Sequence, residues 1–225
     1  MTTSVCTDLH IGYKEEDEDK LDVVTDLVSF CENNQIGRLV MTESYEMIWR
    51  KGEWWNNDGC AIRTKDIIGR LADKIEVYEI TSNHFLDWRD FRRSFPSEFQ
   101  NIRFVDELSI CGWHIEHGHR LDPMFYVEKP WYRAVRCFKP STPAEAKMQG
   151  NDERYKAIIE KIRMNYKCLA AAPGGPKHII IGHTHSQEDV SNLVTGVRLI
   201  NLGTLDADRV FLTIGDYGEV SFHRI

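Results

Sequence analysis

The sequence predicts an α/β layered fold, and three observations carry that expectation. Short apolar runs alternate with amphipathic stretches of helical period. Five of the apolar runs end directly at residues of metal-ligand type, and in open α/β sheets the site lies where strand carboxyl ends meet loops. A chain of 225 residues with 42% apolar side chains is also long enough to bury a sizeable core.

Taken in order, residues 2–6 (Thr-Thr-Ser-Val-Cys) read as a first strand that ends at Asp8 and His10. The acidic run Glu15-Glu16-Asp17-Glu18-Asp19 reads as a solvated loop and suits the positive end of the helix that follows. Leu21, Val24, Leu27, Val28 and Cys31 recur at helical spacing and predict that helix to about Asn34. A second strand, residues 38–41, ends at Thr42-Glu43-Ser44-Tyr45-Glu46. A helix near 62–74 and a strand at Glu76–Ile80 follow, the strand leading to Thr81-Ser82-Asn83-His84. Short strands around 103–105 and 107–116 lead into Glu116-His117-Gly118-His119. Helices are expected over 129–138 and 143–171, and the strand at Lys177–Ile181 delivers His183 and His185. The tail from Leu193 to Ile225 alternates apolar and polar residues with glycine breaks, which predicts antiparallel strands. A single domain over 1–225 is expected, with the Pro- and Gly-punctuated stretch near 121–176 as a cap insertion.

Composition narrows the function. The net charge of −7 argues against broad, non-specific nucleic-acid binding, which needs a basic face. It leaves room for a small phosphorylated substrate, because metal ions supply positive charge locally. No apolar run has bilayer length, and Met1-Thr2-Thr3-Ser4 has no signal-peptide character. The cysteines at 6, 31, 60, 111, 137 and 168 follow no CxxC or zinc-finger spacing, so reduced thiols in a cytoplasmic protein are expected.

The ligand-type residues come in pairs. Residues two apart point the same way at a strand end, so Asp8 with His10, and His183 with His185, can each aim at one point. Their mix of oxygen and nitrogen donors suits Mn, Fe or Zn. His114, His178 and His223 stand in no motif and read as packed or solvent-facing. His119 is a candidate for lining the pocket, and Arg133 and Arg136 in the cap stretch are candidates for gripping a second phosphate.

Asp-x-His, a strand-end acid, Asn-His, His-Gly-His and Gly-His-Thr-His, in that order, resemble the calcineurin-like metallophosphoesterases. The resemblance runs from Thr7 to the Asn201-Leu202-Gly203-Thr204 turn. Asp8-Leu9-His10 and the segment from His117 to Asp122 are similar to the branch containing UDP-2,3-diacylglucosamine hydrolases. It implies a four-layer α/β/β/α sandwich with a small helical cap over two divalent metal ions. Manganese is the first choice for the ions, with Fe, Zn or Ni as alternatives. Asp8, His10 and His185 would hold one ion, and Asn83, His117 and His183 the other. Glu43 falls at the position between them, and His84 matches the histidine that touches the phosphate and assists the leaving group.

The implied reaction is hydrolysis of a small molecule's phosphomonoester, phosphodiester or pyrophosphate by a hydroxide bridging the two ions. Two cations neutralise the charge that repels a nucleophile, and a histidine gives a proton to the departing oxygen. The chain departs from the family pattern at Thr42-Glu43 in place of Gly-Asp, at Ser82 in place of a glycine, and at Phe85 in place of an acid. Two alternatives stand beside this reading: a non-catalytic family member that binds metal or a phosphorylated ligand, and a nuclease.

Overall fold

The computed structural model describes residues 1–11, 18–45, 58–82, 101–121, 153–192 and 196–225. Its first sheet is built on parallel strands β1 (Thr3–Thr7), β2 (Arg38–Thr42), β3 (Glu76–Ile80) and β4 (Ile102–Val105). Two antiparallel strands, β10 (Val210–Ile214) and β11 (Val220–Arg224), extend it beyond β1, giving the order β11-β10-β1-β2-β3-β4. The second sheet contains β5 (Leu108–Ile110), β6 (Trp113–Ile115), β7 (His178–Ile181), β8 (Gln187–Asn192) and β9 (Val197–Leu202), in the order β5-β6-β7-β9-β8. Strands β6, β7 and β9 run parallel, and β5 and β8 close the sheet in antiparallel pairing.

Side chains alternate across each strand, so each sheet feeds two cores. Val5, Val40, Tyr78 and Ile80 of the first sheet meet Trp113, Ile115, Ile180, Ile200 and Leu202 of the second between the sheets. On the other face of the first sheet, Cys6, Leu39, Met41 and Val77 pack with helices α1 (Glu18–Asn33) and α2 (Gly59–Ala72). On the other face of the second, Ile179, Ile181, Val197 and Leu199 pack with Ile162, Tyr166 and Ala170 of α3 (Glu153–Ala171). The result is four layers, helix–sheet–sheet–helix. A short helix, α4 (Leu205–Asp208), and a 3-10 turn at His119–Leu121 complete the described elements.

Local chemistry sets several boundaries. Helix α2 starts three residues before its sequence expectation because Asp58 caps it, its carboxylate accepting the Ala61 N–H at 3.0 Å. The run expected as one strand over 107–116 is a hairpin, because Cys111 and Gly112 both take positive φ (48° and 81°) and fold the chain between β5 and β6. The tail is not purely antiparallel, since β9 lies parallel to β7 while β8 and β10 pair antiparallel with their neighbours. Of the stretch expected as a cap insertion, α3 is an outer layer of the sandwich, and 122–152 lie outside the described residues.

Candidate metal centre

Parallel strands share a direction, so β1, β2 and β3 of one sheet and β6, β7 and β9 of the other deliver their following residues to one end of the sandwich. Asp8 and His10 follow β1, Glu43 follows β2, His117 follows β6, and His183 and His185 follow β7. Asp8, Glu43 and His117 are each 1% exposed or less. Burying this many polar groups in one place is costly unless they pair with one another or with a cation.

The backbone is contorted here. Asp8, His10, Glu43, His183 and His185 all lie in the left-handed region, with φ of 55°, 51°, 53°, 67° and 53°. Such residues cost on the order of 1–3 kcal/mol each and persist only where their surroundings dictate them. The surroundings do so here. Asp8 and His10 donate backbone N–H groups to the carbonyls of Thr42 and Glu43 at 2.9 and 3.2 Å, carrying the β1–β2 pairing past the strands. The Lys20 ammonium, buried on α1, donates to the His10 carbonyl at 2.6 Å. The His183 N–H reaches both oxygens of Asp8, at 3.1 and 3.2 Å, and the Thr7 hydroxyl donates to the Gly203 carbonyl at 2.8 Å. These bonds sew the two sheets together at the site. Gly182 permits the approach, because a Cβ there would stand 2.0 Å from Asp8 Oδ2 and 2.8 Å from Thr7 Cβ.

Two overlapping donor groups result. Asp8, His10 and His185 form one, and Asp8, Glu43 and His117 form the other, with all donor atoms in each within 4.8 Å of one another. In the first, Nε2 of His10 and Nε2 of His185 are 3.1 Å apart, and His185 Nε2 is 3.5 Å from Asp8 Oδ1. In the second, His117 Nε2 is 2.6 Å from Glu43 Oε2, while the other Glu43 oxygen is 3.3 Å from His10 Nδ1. Asp8 is therefore common to both groups, and Glu43 contributes to one of them while touching a histidine of the other. Burial opposes ionisation of Asp8, yet the His185 hydrogen bond and the His117 charge hold its carboxyl below the usual range, against the pull of Glu43.

The paired histidines do not share a target. His185 turns to Asp8 and His10, whereas the His183 ring stands edge-on to His117, with centroids 5.0 Å apart. Strand alternation does not extend through a segment in which both residues have positive φ. His119 is buried beside them, 5.4 Å from His117 between ring centroids. Burial, and then the neighbouring His117 and His183, push its pKa well below the usual value. Asn83, His84, Arg133 and Arg136 lie outside the described residues.

Supporting residues escaped the sequence reading. Glu79 on β3 accepts the Ser44 backbone N–H at 3.0 Å and the Ser44 hydroxyl at 2.7 Å, directly after Glu43. The Asn201 amide donates to the Thr184 hydroxyl, between the two histidines of the β7 turn. Both Glu79 and Lys20 had one legible sign, a charged residue on the face that its element otherwise gives to the core.

No family model matches the sequence, and no curated protein matches it. Solved structures do resemble its fold. An archaeal phosphodiesterase superimposes with a TM-score of 0.52 at 11% identity, covering 100% of both chains. A dimetal phosphatase from Danio rerio superimposes with a TM-score of 0.53 at 12% identity, covering 99% of this chain and 95% of that one. The fold is that of the metallophosphoesterases. At these identities the metallophosphoesterase likeness establishes architecture, and the chemistry rests on the residues themselves.

Proposed function

We propose that this chain hydrolyses the phosphate ester of a small molecule with two divalent metal ions. The observation that carries the proposal is the pair of donor groups sharing Asp8, buried but for a partly exposed His185, at the carboxyl ends of parallel strands. Their chemistry fits the ions: carboxylate oxygens and imidazole nitrogens suit Mn, with Fe, Zn or Ni as alternatives. Two structures of similar fold are a phosphodiesterase and a dimetal phosphatase, which supports the same class of reaction.

Asp8, His10 and His185 hold one ion; Asp8, Glu43 and His117 hold the other, with Asn83 and His183 as its further ligands. When bound, such ions neutralise phosphate charge and acidify a coordinated water. Asp8 and Glu43 offset the ions' charge, and the His183 N–H fixes the orientation of Asp8. His119, buried beside His117, is the candidate for lining the pocket, where a ring nitrogen can hydrogen-bond a phosphate oxygen. His84 gives a proton to the leaving oxygen. Arg133 and Arg136 are the candidates for a second phosphate.

The net charge of −7 favours a small phosphorylated substrate over long nucleic acid. Neither structural neighbour selects the UDP-2,3-diacylglucosamine hydrolase branch that Asp8-Leu9-His10 and His117-Gly118-His119 resemble. No helix among the described residues is long and apolar enough to cross a membrane. Cys6, Cys31, Cys60, Cys111 and Cys168 form no disulfide among the described residues, which fits a reducing, cytoplasmic setting.

The test is hydrolysis of p-nitrophenyl phosphate, bis-p-nitrophenyl phosphate and a nucleoside diphosphate by chelator-stripped protein resupplied with manganese. Turnover that requires manganese and vanishes in Asp8→Asn supports the proposal. Silence on all three while metal is bound favours a non-catalytic binding protein, which the Thr42-Glu43 substitution in the family's Gly-Asp position also suggests. Cleavage confined to single-stranded nucleic acid, weakening steeply with salt, favours a nuclease.

A further inference from the structure

Glu79 lies beneath the Glu43 turn and belongs to neither donor group. On β3 it shares the helix-facing side with Val77, a position where the other strands place Leu39, Met41 and Cys6. It is 1% exposed, and both of its oxygens are engaged by a single residue. Ser44 gives its backbone N–H to one oxygen and its hydroxyl to the other, so the residue is gripped at two points, one of them the N–H of the peptide joining residues 43 and 44. That peptide sets the direction in which Glu43, at a φ of 53°, projects its side chain.

A core carboxylate with no cationic partner in these contacts costs more than the apolar residue that the position would otherwise hold. Burial pushes the Glu79 carboxyl up to about 7, with the two Ser44 bonds opposing. Its use is therefore to be sought in what it holds. We propose, resting on the two-ion reading above, that Glu79 is a positioning residue whose grip on Ser44 holds Glu43 in the second donor group with Asp8 and His117. The first group has supports that do not pass through Glu79: Lys20 holds the His10 carbonyl, and His183 holds Asp8, which both groups share. Loss of Glu79 should therefore fall on the second ion selectively. A residue serving only global stability would lower the melting temperature without that selectivity.

The experiment is a calorimetric titration of manganese into the chelator-stripped full chain. Wild type should take two equivalents. Glu79→Ala should keep the first and weaken the second by about 10–100-fold, the range usual for supporting residues of a metal site. Glu79→Gln retains an acceptor for the Ser44 N–H and should bind as wild type does. Ser44→Ala, which loses one of the two bonds in a milder change, should fall between. An unweakened second equivalent in folded Glu79→Ala overturns the role of Glu79 and leaves the two-ion reading standing. If Glu79→Ala does not fold, an unweakened second equivalent in Ser44→Ala does the same. Equal weakening of both equivalents also overturns the positioning role. Fewer than two equivalents in wild type overturns the two-ion reading, and this inference with it.

Discussion

Replacing Glu79 by glutamine should flatten the pH dependence of stability of the metal-free protein. Burial raises the Glu79 carboxyl from 4.5 to about 7; the two Ser44 hydrogen bonds act against that rise and the Glu43 charge adds to it. Between those values the folded protein keeps a proton that the unfolded chain releases. The stabilisation is thus fully present below the lower value, declines as pH rises toward the upper one, and is gone above it. At 1.36 kcal/mol for each tenfold change in proton affinity, the whole displacement is worth about 3 kcal/mol. Glutamine has no proton to lose, so its stability relative to wild type should climb by up to about that amount across the window. Urea unfolding of both proteins with chelator present, at about pH 5 and about pH 8, measures the difference of differences and cancels the other titrating groups. Stability curves that stay parallel with pH would refute the reasoning.

Four further substitutions probe the site. Asp8→Asn should remove both ions and Glu43→Gln only one, because Asp8 alone belongs to both donor groups; metal analysis after gel filtration checks this, and equal losses would contradict it. Gly182→Ala places a Cβ 2.0 Å from Asp8 Oδ2, so it should destabilise the fold by about 1–3 kcal/mol and lower metal affinity. A thermal melt and a manganese titration both unchanged would show that the junction relaxes freely. His84→Ala should retain metal while turnover falls by roughly 10²–10⁴-fold, and unchanged turnover removes His84 from the mechanism.

Much of this architecture is written in local pattern. The Glu76–Ile80 strand and the helix carrying Val24, Leu27 and Cys31 follow from period alone. The ligand-type residues directly follow apolar strands, so their gathering at one end follows from parallel topology. What was hidden depends on partners distant in sequence. Periodicity does not say that β9 lies beside β7, nor that Cys111-Gly112 would fold as a hairpin without the usual Asn-Gly turn. It misdirects at His183 and His185, where positive φ sends the two rings to different neighbours. That Asp8 serves both donor groups is a matter of distance across two sheets, which no spacing encodes. Glu79 left a trace as an acid two residues from Val77 on the core face, but its partner Ser44 stands a whole strand and helix away.

The central claim is that this end of the sandwich holds two ions on a shared Asp8. A crystal equilibrated with manganese and measured for anomalous scattering tests it most directly. The account predicts two peaks, one beside Asp8, His10 and His185 and one beside Asp8, Glu43 and His117. A single peak, or none at this end of the sheets, would contradict it.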